Sequence, residues 1–536
     1  MRKTVLPWIL AASLVAAGAA FAAGPRDVTI GLTSDAYSFY PYSLNETINN
    51  ALMDHVFDAL VRLDGNIKFQ PELAESWEAS DNALVWTFHL RKGVKFSNGS
   101  DFNADDVIFS FDRANTLQKS AFVYAFATIE KYEKVDDYTV KITCKAPNAL
   151  LLAHLKDIVI LDKESYEGND DDYNAIHPVG TGRYVLAEHV RGDHILFTPN
   201  EKYWGEKPEA ENVTYKPITN PGTRTANMLS GAVDMIVDVP VRDVPMIERN
   251  KKISIVKMPS LRIIYLNPSC VENPSVDSKY PLVSPTGKNP MVDKRVREAM
   301  YRAINEDEIV SKIMNGYAIP AATYCPEGYN GYNPDIKRLD FDPALAEKLL
   351  DEAGYPRQAD GYRFQVTLDA SNDRYINDGA IATAVASYFE KVGIKVVPNL
   401  MSRNVFFSYI GATNRSGDNT HLCQTGWADS GGEGALIALD MIYSMKPGEY
   451  VKSGWGGCNR GYYQNPEVDK LVEEAMATAD VEKRDTLVRK AWKLAADDVA
   501  YIPLHYQMDV YAVGPRITYT PRYNKYVYAW DITFTK

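Results

Sequence analysis

The sequence predicts an α/β protein of two lobes that are joined by strand crossovers. Segments in which apolar and polar residues alternate, which is typical of strands, are mixed with segments of helical spacing along all 536 residues. The second half contains a strand, a helix and a strand in succession, which indicates a parallel unit with a right-handed crossover. No flexible linker separates the halves, so two joined lobes fit the pattern better than independent domains.

The elements of the first half begin with residues 27–33, DVTIGLT, which alternate and predict an opening strand. Residues 50–63 carry leucine and valine at helical spacing and predict a helix. Asn103 predicts a helix start, because it can cap the helix while Asp105 and Asp106 place carboxylates in the first turn. A strand or hairpin is predicted at 86–94, further strands at 138–144, 182–188 and 194–198, and a further helix at 223–230.

The elements of the second half begin with amphipathic helices at 294–304 and 343–353. Gly354 and Pro356 follow the second of these helices and form a helix-stop signature. The parallel unit consists of a strand at 362–368, a helix at 377–392 and a strand at 394–398. Two more helices are predicted at 466–477 and 482–497, and a return strand begins at 501.

The N-terminus has the pattern of a secretory signal peptide. Arg2 and Lys3 precede an apolar stretch at 5–18, and Ala20-Phe21-Ala22 forms an A-x-A site, so we expect a signal peptide at 1–22 that is cleaved after Ala22. An uncleaved membrane anchor is the alternative. The best later apolar run, 149–161, is interrupted by charged residues. The mature chain is therefore expected to be soluble in an exported compartment, most simply the periplasm of a Gram-negative cell.

Charge and composition exclude several classes of protein. The composition, 46% hydrophobic and 24% charged, is that of a globular protein rather than a disordered or fibrous one. With 58 Lys and Arg against 70 Asp and Glu, the formal net charge is −12. Because phosphate binding needs clustered cations and the sequence has no basic run, no nucleic-acid partner is expected.

The cysteines of the sequence permit a disulfide but do not require one. The 5 cysteines are Cys144, Cys270, Cys325, Cys423 and Cys458, and an exported compartment would permit one or more bridges. The preferred pair is Cys423 with Cys458, which would close a loop of moderate length. The alternative is that all five are buried small apolar side chains.

No catalytic or metal-binding pattern is present in the sequence. The segment 428–432, ADSGG, resembles the nucleophile segment of trypsin-like proteases, but the His-Cys half of that pattern is missing. G-x-S-x-G, H-E-x-x-H and P-loop motifs are absent. The paired acids at 105–106 and 170–172 could serve a glycosidase, but such pairs are more typical of helix caps and solvated loops. None of the 8 histidines has metal-ligand spacing, although His421 lies close to Gly426-Trp427. We expect no cofactor and no metal.

Ordered motifs along most of the chain carry a family resemblance. Residues 71–78 (PELAESWE), 87–96 (TFHLRKGVKF) and 103–107 (NADDV) closely resemble the family 5 extracellular solute-binding proteins of ABC importers, which include dipeptide- and oligopeptide-binding proteins. The resemblance continues in order at 178–182, 203–205, 292–299, 341–343, 353–355 and 465–469. Each block is weak alone, but their joint order is specific.

The resemblance implies a type II periplasmic binding protein fold, in which two α/β lobes close around a ligand. Lobe I would comprise 23–266, with an inserted subdomain at about 50–185, and would be completed by 506–536. Lobe II would comprise 267–505. Within the first motifs, Leu90, Val94 and Phe96 would be core residues and 91–93 a turn.

The resemblance also implies ligand-binding residues in the second half. In dipeptide-binding relatives a cleft Arg pairs with the ligand carboxylate and an Asp after Gly-Trp receives the α-ammonium; the positions most similar here are Arg374, followed by Tyr375, and Asp429, which follows Gly426 and Trp427. A zwitterion that is buried from water needs a partner of opposite charge at each end. Arg460 is a second candidate for an anionic group. Asp429 is followed by Ser-Gly-Gly-Glu-Gly, which departs from the acidic, Pro-containing stretch of those relatives and leaves the ligand class open.

The function that this implies is capture of a dipeptide, short peptide or peptide-like solute by lobe closure. The protein would deliver the solute to an inner-membrane ABC permease, would act as a monomer and would not be an enzyme. One alternative is another solute, such as an opine, a nickel chelate or a glycan fragment. A less favoured alternative is an exported hydrolase.

Overall fold

The computed structural model describes residues 26–118, 120–272, 282–410, 421–428, 431–445 and 455–535. The predicted signal peptide at 1–22 and Asp429 lie outside these residues. No helix within the described ranges is both long and apolar enough to cross a membrane.

The described strands are β1 Asp27–Leu32, β2 Val61–Leu63, β3 Phe69–Pro71, β4 Ala74–Ala79, β5 Val85–Leu90, β6 Ile129–Asp136, β7 Thr139–Cys144, β8 Tyr184–Val190, β9 His194–Pro199, β10 Asn212–Pro217, β11 Met235–Ile236, β12 Ser254–Pro268, β13 Ala318–Pro320, β14 Phe364–Ser371, β15 Ile394–Met401, β16 Leu422–Trp427, β17 Ile502–Val513, β18 Ile517–Tyr519 and β19 Ile532–Phe534.

The described α-helices are α1 Thr47–Val56, α2 Ala104–Thr116, α3 Leu151–Leu155, α4 Lys163–Gly168, α5 Asp171–Asn174, α6 Pro221–Ser230, α7 Val244–Ile247, α8 Lys294–Ala303, α9 Glu306–Glu308, α10 Pro343–Glu352, α11 Asp378–Lys391, α12 Arg403–Ile410, α13 Gly434–Met441, α14 Pro466–Met476 and α15 Val481–Asp497. The mixture of strands and helices along the chain confirms the α/β prediction.

One large sheet connects the two halves of the chain. Its order is β15-β14-β16-β12-β17-β11-β1-β10-β9-β8, and β13 also pairs with β17. Strands β12 and β17, of 15 and 12 residues, pair antiparallel and pass from the second-half strands to the first-half strands. The predicted lobe boundaries at 266 and 505 fall inside these two strands, and they stay predictions.

A separate antiparallel sheet, in the order β4-β5-β7-β6, lies within the range predicted as an inserted subdomain. Leu90, Val94 and Phe96 are buried there, as predicted. Gly93 has φ +76°, a left-handed conformation that suits glycine at the predicted turn. Asn103 caps α2 in a capping box with Asp106, which confirms the predicted helix start.

The predicted parallel unit is confirmed. Strands β14 and β15 pair in parallel from Phe364 opposite Ile394 to Ser371 opposite Met401, and α11 connects them. The helix before this unit, α10, ends at Glu352 with Gly354 at φ +89°, as the helix-stop signature predicts.

The helix predicted at 50–63 is shorter than expected. It ends at Val56, and Val61–Leu63 forms a strand that pairs with β3. The amide of Gly182 donates to the carbonyl oxygen of Val56 at 2.8 Å, so a distant segment supplies a hydrogen-bond donor at the end of the helix. A Cβ at Gly180 would lie 2.1 Å from the same oxygen, so this segment packs directly on the helix terminus. The glycines of the 178–182 motif therefore permit a contact that ends α1 early.

The preferred disulfide is not formed. Cys423 and Cys458 are not joined by a disulfide, and neither are the other three cysteines. Cys144, Cys325 and Cys423 are buried, whereas Cys270 and Cys458 are half-buried. Burial raises the pKa of the Cys423 thiol to about 12, so it behaves as an apolar side chain.

Candidate functional site

A cavity of about 500 Å³ lies where strands and loops from both halves of the chain meet. Its walls come from the end of β1, the start of α1, the segment after β11, strands β12 and β17, the loop after β14, and the C-terminal segment around Lys525. A volume of this size suits a small solute rather than a protein segment.

The loop after β14 presents Arg374 and Tyr375, both predicted site residues, to the cavity. The buried carboxylate of Asp378 fixes this loop, because its Oδ2 accepts hydrogen bonds from the amides of Arg374 and Tyr375, both at 3.0 Å. The same oxygen accepts from the Ser371 hydroxyl at 2.6 Å. The end of the strand, the loop and the start of α11 are therefore held by one side chain.

Tyr375 joins the loop to the predicted residue Gly426. Its hydroxyl donates to the Gly426 carbonyl oxygen at 2.8 Å and lies 3.2 Å from Thr425 Oγ1. A Cβ at Gly426 would lie only 2.8 Å from Cε1 of the Tyr375 ring, so the ring can take this position only because residue 426 is glycine. The guanidinium carbon of Arg374 lies 5.1 Å from the centroid of the Tyr375 ring.

Arg262, which was not predicted from the sequence, approaches the same ring from β12. Its guanidinium carbon lies 5.7 Å from the Tyr375 ring centroid. The register between β12 and β17 shifts between Pro259 and Ile263, so three residues, 260–262, lie opposite one residue of β17 and Arg262 reaches the cavity. The sequence signal for Arg262 is a charged residue directly before the apolar run Ile263-Ile264-Tyr265-Leu266. Burial, and then the charge of Arg262, lower the pKa of Arg374 from its usual value.

Lys525 and two carboxylates form another part of the cavity wall. Lys525 Nζ lies 2.6 Å from Asp238 Oδ1 and 3.3 Å from Asp509 Oδ1. Burial opposes the charge on Lys525, but Asp238 and Asp509 outweigh it and raise its pKa. Burial raises the pKa of Asp509, since its attraction to Lys525 only partly offsets desolvation. This wall therefore has two acids for one base.

Among the buried polar atoms on β17 that have no hydrogen-bond partner in the described part of the chain are one carboxylate oxygen and one amide nitrogen. They are Oδ2 of Asp509 and Nε2 of Gln507. Both residues line the cavity, and their exposed fractions are 5% and 6%. Leaving such groups unsatisfied is costly, so a cavity lined by them is prepared for a polar ligand.

The other predicted residues do not line the cavity. Trp427 is half-buried on β16 opposite Ile263 of β12. Arg460 donates through Nη1 to the carbonyl oxygen of Ile410, at the end of α12, at 2.8 Å. Their proposed ligand contacts remain predictions, and Asp429 lies outside the described residues. His421 is a buried core residue that accepts from the Thr367 amide at 3.4 Å, and burial lowers its pKa to about 4.

One group of carboxylates has the spacing of a cation site. Single oxygens of Asp106, Asp162 and Glu164 lie within 4.8 Å of one another. Asp106 already accepts from the amides of Asn103 and Lys163, and Asp162 accepts from two side chains. These bonds account for both oxygens of Asp106 and for Oδ2 of Asp162 as caps and loop contacts, so we assign no metal there.

Substituting Gly426 with alanine is expected to weaken ligand binding by about 1–3 kcal/mol, because the new methyl group displaces the Tyr375 ring from beside Arg374. Isothermal titration calorimetry would measure the effect. Gly379→Ala is the control, since a Cβ there meets its neighbours at 3.5 Å or more. Equal binding by the Gly426 variant and the native protein would contradict the positioning role of Gly426.

Comparisons with known proteins agree with this architecture. The glutathione-binding protein GsiB of Salmonella choleraesuis (strain SC-B67) is 29% identical over 521 residues, which cover 95% of this chain and 95% of the relative. The structure of DppA from Helicobacter pylori in complex with the peptide STSA has a TM-score of 0.72 at 25% identity and covers 95% of this chain and 98% of that one. HbpA2 from Haemophilus parasuis has a TM-score of 0.81 at 22% identity and covers 95% and 100%.

The likeness to these structures confirms the predicted two-lobed fold of type II periplasmic binding proteins. The family model described as bacterial extracellular solute-binding proteins, family 5, matches residues 68–445, which is more than half of the chain. This protein therefore belongs to family 5 of the bacterial extracellular solute-binding proteins.

Proposed function

We propose that this protein captures a peptide or peptide-like zwitterion between its lobes and delivers it to an inner-membrane ABC permease. The observation that carries the proposal is the polarity of the cavity, with arginines beside Tyr375 and the carboxylates of Asp238 and Asp509 beside Lys525. The names of similar proteins, one glutathione-binding and one solved with a peptide, support the same ligand class.

Each end of the ligand would meet a partner of opposite charge. Arg374 would bind a carboxylate, and its guanidinium can offer two parallel hydrogen bonds. The free Oδ2 of Asp509 would accept a hydrogen bond from the ammonium group. Asp429, the acceptor suggested by the family resemblance, remains an alternative acceptor for the same group.

The proposal includes export and a binding cycle. Residues 1–22 would direct secretion to the periplasm, where the mature monomer would bind ligand and release it unchanged. Lobe I, residues 23–266 and 506–536, and lobe II, residues 267–505, would close around the ligand, because the cavity is complete only when both contribute.

Native mass spectrometry of the purified protein, followed by mild denaturation, would test the ligand class. We expect a retained or added peptide to appear as a one-to-one complex and to be recovered intact after incubation. Recovery of a nickel chelate, an opine or a glycan fragment would overturn the peptide proposal. Peptide cleavage that persists through purification to homogeneity would overturn the binding-protein proposal.

Closure is expected to reduce the radius of gyration when the ligand is added to saturation. Small-angle scattering of the same sample before and after addition would measure the change, with a peptide that calorimetry shows not to bind as the control. An unchanged radius at saturation would contradict closure.

A further inference from the structure

We infer that the solute has net negative charge, with two acidic groups, one held by Arg374 and one by Arg262, and one ammonium group held by Asp509. The inference rests on the proposed function and names the subclass of peptide-like ligand. Four features of the cavity lead to it. Within the described residues, two arginines have no acidic partner, and one carboxylate oxygen and one amide donor are unsatisfied. The buried and half-buried lining groups also carry an excess of positive charge.

The first feature is the pair of arginines. The ion pairs within the cavity wall join Lys525 to Asp238 and Asp509. Neither Arg262 nor Arg374 forms an ion pair with an acid in the ranges that the structure describes; both lie near the Tyr375 ring instead. Arg262 also lowers the pKa of Arg374, the effect of two like charges facing one space.

The second feature is the charge balance of the half-buried and buried groups. Arg262, Arg374 and Lys525 supply three positive charges, while Asp238 and Asp509 supply two negative ones. The remaining lining acids, Glu46 and Asp373, are exposed, and each already accepts backbone hydrogen bonds. When the cavity closes and excludes water, a neutral zwitterion would leave one guanidinium without a counter-charge, which is costly.

The third feature fixes the position of the ammonium group. Asp509 Oδ1 faces Lys525, while Oδ2 is buried and has no donor in the described residues. An ammonium group supplies the missing donor and the missing positive charge at this oxygen. Arg262 contributes to the electrostatics of Asp238, Asp509 and Lys525, and also to that of Arg374, so its charge acts on both groups.

The fourth feature supports a second acidic group rather than one carboxylate shared by both arginines. Gln507 lies two residues before Asp509 on β17, so both side chains point to the same face of the strand. Its unsatisfied Nε2 donor lies opposite the bulge that carries Arg262. Arg262 on β12 and Gln507 on β17 together offer donors for a carboxylate, whereas Arg374 is carried by the loop after β14.

The test is calorimetric titration with di-, tri- and tetrapeptides made in matched pairs that differ only by Glu or Gln. Native protein is expected to bind the Glu form roughly 10- to 100-fold more tightly, the range for a hydrogen bond to a charged group. In Arg262→Gln this preference should fall to about twofold or less, while the Gln form binds nearly as before. In Arg374→Gln both forms should weaken.

Controls separate the possible outcomes. Arg489→Gln, an exposed site on α15, should keep the native preference, and Arg262→Lys should keep part of it. Thermal unfolding without ligand checks that each variant is folded. If no peptide binds to the native protein, the proposed function fails. If peptides bind without a preference for Glu, or if Arg262→Gln weakens both forms equally, the function stands and the second acidic subsite is wrong.

Discussion

Replacement of Arg374 by alanine is expected to weaken binding of a peptide-like ligand by about 2–5 kcal/mol, since a carboxylate that loses its buried partner remains desolvated and uncompensated. The side chain is half-buried and lines the cavity, and its backbone amide donates to Asp378, so the loop that carries it is fixed before the ligand arrives. A loop that is already ordered loses little entropy on binding, which favours an effect of this size. Calorimetric titration of the native protein and the variant gives the difference directly.

Arg403→Ala is the matched control for that experiment. Arg403 is exposed, contributes to the electrostatics of Arg374 and is not among the residues that line the cavity. Its loss should change binding by less than about 1 kcal/mol, as expected for a screened surface charge. Comparable losses in the two variants would mean that general positive potential, and not a direct contact by Arg374, attracts the ligand.

The helices and strands with local signals were predictable from the sequence. Asn103 caps α2 and Gly354 terminates α10, because caps depend on residues within one turn of the helix end. The end of α1 was not predictable in the same way. It depends on a segment more than 120 residues away, whose glycines pack against Val56.

The residues of the binding site likewise include some that were predictable from the sequence and some that were not. Arg374 and Tyr375 were predicted by family resemblance, and both line the cavity. Arg262, Asp509 and Lys525 were missed, because they become neighbours only through the pairing of β12 with β17 and the return of the C-terminal segment. Arg262 and Asp509 are charged residues within strands, and Lys525 lies outside the strands, so sequence alone connects none of them to a distant partner.

A buried ion pair in the second half accounts for another part of the sequence that departs from the family. Glu433, which follows the glycines after Asp429, accepts from Arg484 Nη2 at 3.0 Å and from its Nε at 3.4 Å. The two side chains are 5% and 4% exposed, and Asn330 Nδ2 donates to the same glutamate at 3.2 Å. This pair ties the start of α13 to α15.

Substituting Glu433 with glutamine is expected to lower the free energy of unfolding by about 3–5 kcal/mol, because Arg484 stays buried without its counter-charge. Denaturation by urea, followed by circular dichroism, would measure the loss. Asp497→Asn is the control, on α15, the helix that carries Arg484. The ion pair of Asp497 with Lys493, at 2.6 Å, is about half exposed and should contribute at most about 1 kcal/mol to stability. Replacing both partners, as Glu433→Leu with Arg484→Met, should recover much of the loss, because the desolvation cost of both charges disappears with them. The double variant could instead be less stable than Glu433→Gln by the full effect of a second deletion. That result would mean that charge pairing does not hold this part of the fold. The hydrogen bonds from Arg484 to the carbonyl oxygens of Thr478 and Ala479 would then hold it.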